Sequence, residues 1–116
     1  MNNIQPNTIV RLKMVCLGNG AGSIGICYKS HNAFGYSLKG SSCSILFENG
    51  NHDDFTIDDQ ADFLIMVGQT GLAYQYTDNG KLDLDYSQGL FDSIFAQYDR
   101  TFEQAKRLRI LGGRHD

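Results

Sequence analysis

The first strand is predicted from a strict alternation of apolar and polar residues. Over residues 8–14, one face carries Val10, Leu12 and Met14, and the other carries Arg11 and Lys13. Residues 23–28 have the composition of a returning strand, and Gly25 within them suggests a bulge or a sharp bend. Residues 30–40 are expected to form a loop or a wide hairpin.

Three Asn-Gly pairs divide the chain, at Asn19-Gly20, Asn49-Gly50 and Asn79-Gly80. Asn-Gly favours a two-residue β-turn of type I′, because both residues tolerate positive φ. Each pair therefore predicts a hairpin: the first joins residues 8–14 to 23–28, the second joins 42–48 to 51–55, and the third joins 72–76 to 81–86. In the second hairpin, Cys43, Ile45 and Phe47 share one face.

Two helices are predicted from capping signals and from apolar spacing of three or four residues. Thr56 and Asp59 form a capping box that opens a helix to about residue 67, with Gly68 as its stop. A second stripe predicts a C-terminal helix over residues 90–111: Phe91, Phe95, Tyr98, Phe102, Ala105 and Leu108. A capping box at Thr101 and Gln104 could divide this helix in two.

These elements predict a single α+β domain over residues 1–116. Residues 7–56 are expected to close into a small SH3-like β-barrel of antiparallel hairpins, since short, glycine-rich, strongly bent strands cannot bury a flat sheet face. Residues 57–116 then supply the middle helix, the third hairpin and the amphipathic aromatic helix.

Two resemblances follow from these motifs. A basic first strand, the Gly22-Ser23-Ile24-Gly25 strand start and the Phe47-Glu48-Asn49-Gly50 strand end resemble SH3-like barrels of the KOW type. The resemblance implies a nucleic-acid role, for which the candidate contacts are Arg11, Lys13, Lys29 and Lys39. In its size, the Ile45-Leu46-Phe47-Glu48-Asn49-Gly50 strand end, the following Asp-Phe-Thr segment and the aromatic C-terminal helix, the whole chain also resembles the uncharacterised small proteins of bacterial mobile, integron-type gene cassettes. This resemblance implies no activity.

Charge is strongly segregated along the chain, although the net charge is only −3. Residues 1–47 contain four bases and no acid, residues 48–99 contain eleven acids and one base, and residues 100–116 contain five bases and two acids. Such a layout predicts either neutralisation within the fold or across a homo-oligomer contact, or opposed faces for charged partners.

Aromatic residues provide two candidate contact surfaces. Near the predicted loops, a shallow groove for a peptide or for bases could be lined by Tyr28, Phe34, Tyr36, Tyr74 and Tyr76. The C-terminal stripe of Phe91, Phe95, Tyr98 and Phe102 either packs in the core or forms an oligomer surface, with the basic turn of Lys106, Arg107 and Arg109 against the acidic middle of a neighbour.

Catalytic and metal motifs are weak by comparison. A thiol nucleophile could combine Cys27 or Cys43 with His31 or His52, but strand cysteines usually pack as small core residues. The acidic run from His52 to Asp59 does not have EF-hand spacing, Asp83 and Asp85 are expected on the solvent face of a strand, and the loop 18–22 lacks the signature of a phosphate loop. The sequence predicts no catalytic residue, metal or cofactor.

The resulting hypothesis is a non-enzymatic binding or adaptor protein, homo-oligomeric, that contacts a protein or peptide through its barrel loops. Nucleic-acid binding through the basic N-terminal strands is the first alternative, and a small thiol-dependent enzyme is the second. Neither a long apolar run nor a secretory leader is evident, so we expect a cytoplasmic protein that does not enter membranes.

Overall fold

The computed structural model describes residues 2–34, 39–98, 102 and 105–107, and these form an α+β fold around a five-stranded antiparallel sheet. The elements are β1 (Thr8–Leu12), β2 (Ile24–His31), β3 (Ser42–Phe47), β4 (His52–Thr56), α1 (Ile57–Phe63), β5 (Leu64–Gln69), α2 (Asn79–Ser87) and α3 (Asp92–Tyr98). The strand order is β4-β3-β2-β1-β5. The α+β class is confirmed, but closure into an SH3-like barrel is not, because β4 and β5 remain the two edges of an open sheet.

Both faces of the sheet are buried, because side chains alternate across strands that are covered on each side. On one face, Ile9, Ile26 and Leu46 lie in register and pack against α2, α3 and Phe102. On the other face, Val10 and Phe47 belong to a second core, which Ile4 and the α1 residue Phe63 help to cover. The predicted apolar face of β1 is therefore correct for Val10 and Leu12, while Met14 lies exposed beyond the strand.

The predicted helix over residues 57–67 is wrong in its second half. Thr56 caps α1 as expected, accepting a hydrogen bond from the backbone N–H of Asp59 at 3.2 Å. The helix then ends at Phe63, and the next six residues form β5, which pairs with β1 over five residue pairs. Without β5, β1 would be an unpaired edge, so strand pairing overrides the helical spacing of Leu64 and Val67.

The Asn-Gly pairs have three different outcomes. Asn49-Gly50 lies in the loop that joins β3 and β4, so this hairpin is confirmed, but only Gly50 has a positive φ, of 91°, and the type I′ turn is not formed. In the first loop the tight turn is centred on Leu17-Gly18, with φ of 51° and 79°, and Asn19 forms the bridge that closes it. The third hairpin prediction is wrong: residues 72–78 are irregular, and Asn79-Gly80 opens α2.

The bulge expected at Gly25 lies further along β2. Gly25 is paired regularly with Val10 and Phe47, and the register shifts between Cys27 and Lys29. The glycine is required instead for close packing: a Cβ at this position would lie 2.5 Å from Cγ2 of Ile45.

A buried hydrogen-bond network holds the N-terminal residues Asn3 and Ile4 against the second core. The amide of Gln60 is fully buried; it donates to Asn3 Oδ1 at 2.8 Å and to the Phe55 carbonyl at 3.0 Å, and it accepts from the Ile4 N–H at 3.0 Å. Asn3 in turn donates to the carbonyls of His31 and Ser42. These bonds place Ile4 in the second core.

The C-terminal aromatic stripe lies inside the molecule. Phe91, Phe95 and Phe102 are at most 1% exposed and belong to the first core, so they do not form an oligomer surface, and Tyr98 is partly buried against the same core. The core-packing interpretation of the stripe is the one that the structure supports. The proposed helix break at Thr101, together with Gln104, Leu108 and Arg109, lies outside the described residues. Within the described part of the chain, none of the helices has the length and apolarity needed to cross a membrane.

Candidate functional site

Three of the predicted groove residues lie on the same side of the sheet, and we call them the tyrosine surface: Tyr28, Tyr74 and Tyr76. The ring centroids of Tyr28 and Tyr76 are 5.1 Å apart, and Tyr74 packs 5.1 Å from Phe91 of the first core. Tyr28 is nearly buried, whereas Tyr74 and Tyr76 are partly exposed. Phe34 is fully exposed, and Tyr36 lies outside the described residues.

The local sequence explains why Tyr74 and Tyr76 pack against the first core. Residues 72–76 alternate between partly buried and exposed positions, so Leu72, Tyr74 and Tyr76 pack against the core while Ala73 and Gln75 face solvent. This is the period-two pattern from which a strand was predicted, and it is kept by an irregular segment in which the Tyr74 N–H donates to the Leu72 carbonyl at 3.0 Å.

Each tyrosine hydroxyl has a polar partner. Tyr74 donates to Asp85 Oδ2 at 2.5 Å, and Tyr76 donates to Asn79 Oδ1 at 2.8 Å, so both are tied to α2. The Tyr28 hydroxyl lies 3.4 Å from His52 Nδ1. Burial, with Asp54 nearby, raises the pKa of Tyr28, and burial likewise raises the pKa of Tyr74. Tyr28 and Tyr74 therefore stay protonated at neutral pH, as hydrogen-bonding phenols.

His52 links the sheet to α2. Its Nε2 lies 3.0 Å from Oδ1 of Asp83, while its Nδ1 faces Tyr28. Sequence reasoning placed Asp83 on a solvent-facing strand and missed this contact. The signal that could have revealed α2 is Asp78, a good N-cap residue, whose side chain accepts from the Lys81 N–H at 2.8 Å.

Ammonium groups already occupy two of the ring faces. Lys29 Nζ lies 5.0 Å from the centroid of Tyr76, and Lys81 Nζ lies 4.5 Å from that of Tyr74. Lys81 also pairs with Asp85 at 2.7 Å, and this contact holds the pKa of Asp85 below its usual value. The surface therefore combines aromatic faces with carboxylates, an environment that attracts cations.

The basic residues predicted to contact nucleic acid are mostly engaged within the chain. Arg11 donates to the carbonyls of Gly22 and Tyr98, both at 2.8 Å, and Lys13 Nζ donates to the Ala61 carbonyl at 2.5 Å. Lys29 lies over Tyr76, and Lys39 is exposed in the turn before β3. A phosphate at Arg11 would have to displace two internal hydrogen bonds.

The two strand cysteines lie side by side in the second core, and neither is exposed. Hydrogen bonds, chiefly from the Cys43 thiol, lower the pKa of Cys27, whereas the Cys27 sulfur and burial raise that of Cys43. The other partners of Cys27 are the Ser30 hydroxyl and backbone carbonyls. His31 is exposed and His52 contacts Tyr28 and Asp83, so the structure assembles no thiol–imidazole pair from the predicted residues.

Over the ranges that the structure describes, no group of three or more histidine, cysteine, aspartate or glutamate side chains could hold a metal ion. Comparison of the chain with family models, with curated proteins and with solved structures finds no match.

Proposed function

We propose that this protein is a non-enzymatic binding module whose tyrosine surface takes an extended segment of a protein partner. We further propose that the fold is a variant of the SH3-like architecture. Its four-stranded meander is followed by the short helix α1 and by a fifth strand that returns to β1, and this connectivity supports that assignment.

The observation that carries the proposal is the fixed position of the tyrosine rings. Because each hydroxyl has a partner and each ring packs against another side chain, a ligand meets an aromatic surface that needs little further ordering. Preorganisation of this kind lowers the entropic cost of binding, and aromatic surfaces of this type recognise extended, proline-containing peptides in other modules.

The charge around the tyrosines favours a basic segment. Two rings hold ammonium groups, and the neighbouring helix α2 contributes the carboxylates of Asp83 and Asp85. Lys29 is exposed, and a single exposed cation–π contact contributes only about 0.5–1 kcal/mol. An arginine or lysine of the partner can therefore replace Lys29 over Tyr76, close to the Asp83 carboxylate that contacts His52.

The test is calorimetric titration of the full chain with a peptide of repeated Arg-Pro-Pro units, using repeated Glu-Pro-Pro as the charge control. We expect binding of the arginine peptide only, and a loss of about tenfold or more in affinity for Tyr76→Ala, as is typical of a central aromatic contact. Phe34→Ala is the matched control, because it removes a fully exposed aromatic side chain that belongs to neither core.

Three outcomes would contradict the proposal. Equal binding of both peptides, or equal binding by the wild-type chain and Tyr76→Ala, would remove the tyrosine surface from recognition. Binding of single-stranded RNA instead, with an affinity that falls steeply as salt rises, would favour the nucleic-acid alternative, because phosphate contacts release counterions.

A further inference from the structure

The three Asn-Gly pairs of the chain, Asn19-Gly20, Asn49-Gly50 and Asn79-Gly80, share an intrinsic reactivity toward deamidation. In such a pair the backbone nitrogen of glycine attacks the side-chain amide carbon of asparagine, because glycine has no side chain to obstruct the approach. A C–N bond forms, ammonia leaves with the proton of that nitrogen, and a succinimide ring results. Water then opens the ring to aspartate or isoaspartate. No other reactant is needed, so the fold decides which pair reacts.

The first pair is held by its buried asparagine. Asn19 is only 4% exposed, and its backbone N–H and carbonyl each form a 2.9 Å hydrogen bond with Cys16. Its side-chain amide donates to the carbonyls of Cys16 and Leu17, at 3.4 and 3.3 Å. Several hydrogen bonds must therefore break before the amide carbon of Asn19 can meet the next nitrogen.

The second pair is exposed but engaged at every group that the reaction uses. The Asn49 amide donates to the Leu17 carbonyl at 3.0 Å and accepts from the Asn51 N–H at 3.0 Å. The attacking nitrogen, that of Gly50, donates to the Phe47 carbonyl at 2.9 Å. This turn protects Asn49 although it lies on the surface.

The third pair keeps its attacking nitrogen available. Asn79 and Gly80 are both exposed, and they are the first two residues of α2. The N–H groups of a first helical turn have no carbonyl partner within the helix. Within the described part of the chain, the Gly80 N–H donates no hydrogen bond.

The hydroxyl of Tyr76 activates the amide that is attacked. It donates to Oδ1 of Asn79 at 2.8 Å. Negative charge develops on this oxygen when a nitrogen adds to the amide carbon, and a donor placed there stabilises the addition.

The helix supplies the remaining barrier. The attack requires Asn79 to leave its helical conformation, because ring closure turns the Gly80 nitrogen towards the Asn79 side chain. Helix ends open at small cost, and the Asp78 cap, which accepts from the Lys81 N–H at 2.8 Å, sets that cost here.

We propose that Asn79 is a deamidation site, which reacts through a succinimide ahead of Asn19 and Asn49 with assistance from the Tyr76 hydroxyl. The aspartate product adds a carboxylate beside Tyr76, and the isoaspartate product lengthens the backbone at the first residue of α2. The site adjoins the tyrosine surface, but the inference does not depend on peptide binding.

The experiment is peptide mapping by mass spectrometry of the full chain after incubation at mildly alkaline pH, both folded and in urea. Labelling by an isoaspartyl methyltransferase identifies the isoaspartate product. Tyr76→Phe removes the hydroxyl that bonds Asn79, and the matched control Tyr74→Phe removes a hydroxyl that bonds Asp85 instead. Both variants keep the aromatic ring, and circular dichroism checks that each is folded.

In urea we expect similar rates at the three pairs, since glycine follows each asparagine. In the folded chain, Asn79 should deamidate at least about tenfold faster than the other two, whose protecting hydrogen bonds must first open. Tyr76→Phe should slow Asn79 by about threefold or more, the factor expected from one hydrogen bond. Tyr74→Phe should keep the wild-type rate, and Asp78→Ala should raise it by about threefold or more, because the cap is lost.

A folded chain in which Asn19 or Asn49 reacts first would overturn the proposal. So would an Asn79 that stays intact when the chain in urea is converted. A Tyr76→Phe variant that reacts at the wild-type rate or faster, or a Tyr74→Phe variant that is slowed equally, would remove the Tyr76 hydroxyl from the reaction.

Discussion

At the scale of single residues, the structure gives particular side chains physical roles that the sequence indicates to different degrees. Gly25 stands out in the sequence, because glycine within a strand needs a reason, but its role depends on Ile45 and Phe47 of the neighbouring strand. Gln60 carries no such signal: a glutamine in the first helix looks like a solvent-facing residue until its three buried hydrogen bonds are seen.

We expect Gly25→Ala to lower the free energy of unfolding by roughly 1–3 kcal/mol, the usual cost of overpacking a core. The added Cβ would meet Ile45 at 2.5 Å and Phe47 at 3.0 Å. Urea denaturation measures the change. Gly20→Ala is the control, because a Cβ there would have no neighbour within 4 Å. Equal stability of the two variants would show that β2 and β3 are not packed as described.

The cysteines allow a second prediction at this scale. Cys16 is partly exposed, whereas Cys27 and Cys43 are fully buried. With an aromatic disulfide reagent, we expect Cys16 to react first. The other two thiols should react at least about a hundredfold more slowly, since they must wait for an opening that costs a few kcal/mol. The matched control is Cys16→Ser, in which we expect no fast phase of the reaction. A fast phase at Cys27 in that variant would return the thiol-enzyme alternative to consideration.

At the scale of elements, sequence motifs predicted the structure correctly where a few adjacent residues determine the backbone conformation. They failed where pairing with a distant strand determines it. The Thr56 cap and the position of the β3–β4 hairpin at Asn49-Gly50 were predictable, because each depends on a few adjacent residues, whereas the predicted turn type was wrong. The run from Leu64 to Val67 fits a helix by spacing, but it becomes β5 because β1 offers it a line of backbone partners. Asn79-Gly80 was read as a turn, although Asp78 before it caps a helix.

The cap of α2 can be tested directly. Asp78→Ala should destabilise the protein by about 0.5–2 kcal/mol, because the Lys81 N–H loses its side-chain acceptor, and Asp78→Asn should restore most of the loss. Amide hydrogen exchange should show faster exchange in the first turn of α2, with β3 and β4 unchanged. If Asp78→Ala exchanges like the wild type, Asp78 does not cap α2 as described.

At the scale of the whole molecule, the sequence predicted the α+β class and the β3–β4 hairpin but not the openness of the sheet or the placement of the aromatic stripe. Both depend on which surfaces cover the sheet, and α2 was not foreseen as one of them. The charge segregation is only partly neutralised by contacts between segments. Within the described residues, Lys106 pairs with Asp92 at 2.9 Å, while Arg11 and Lys13 bind backbone carbonyls.

The surface that we propose for a partner is the tyrosine surface. It combines tyrosines from β2 and from the segment before α2, with carboxylates and ammonium groups around them.

The most direct test of the central claim is an amide NMR titration of the full chain with the Arg-Pro-Pro peptide. We predict that the signals that move belong to Tyr74, Tyr76 and Asn79, the residue that accepts a hydrogen bond from Tyr76, and that Tyr76→Ala abolishes these shifts while Phe34→Ala keeps them. Shifts confined to β5, shifts confined to the basic N-terminal residues, or no shift at saturating peptide would each contradict the assignment of the tyrosine surface as the binding site.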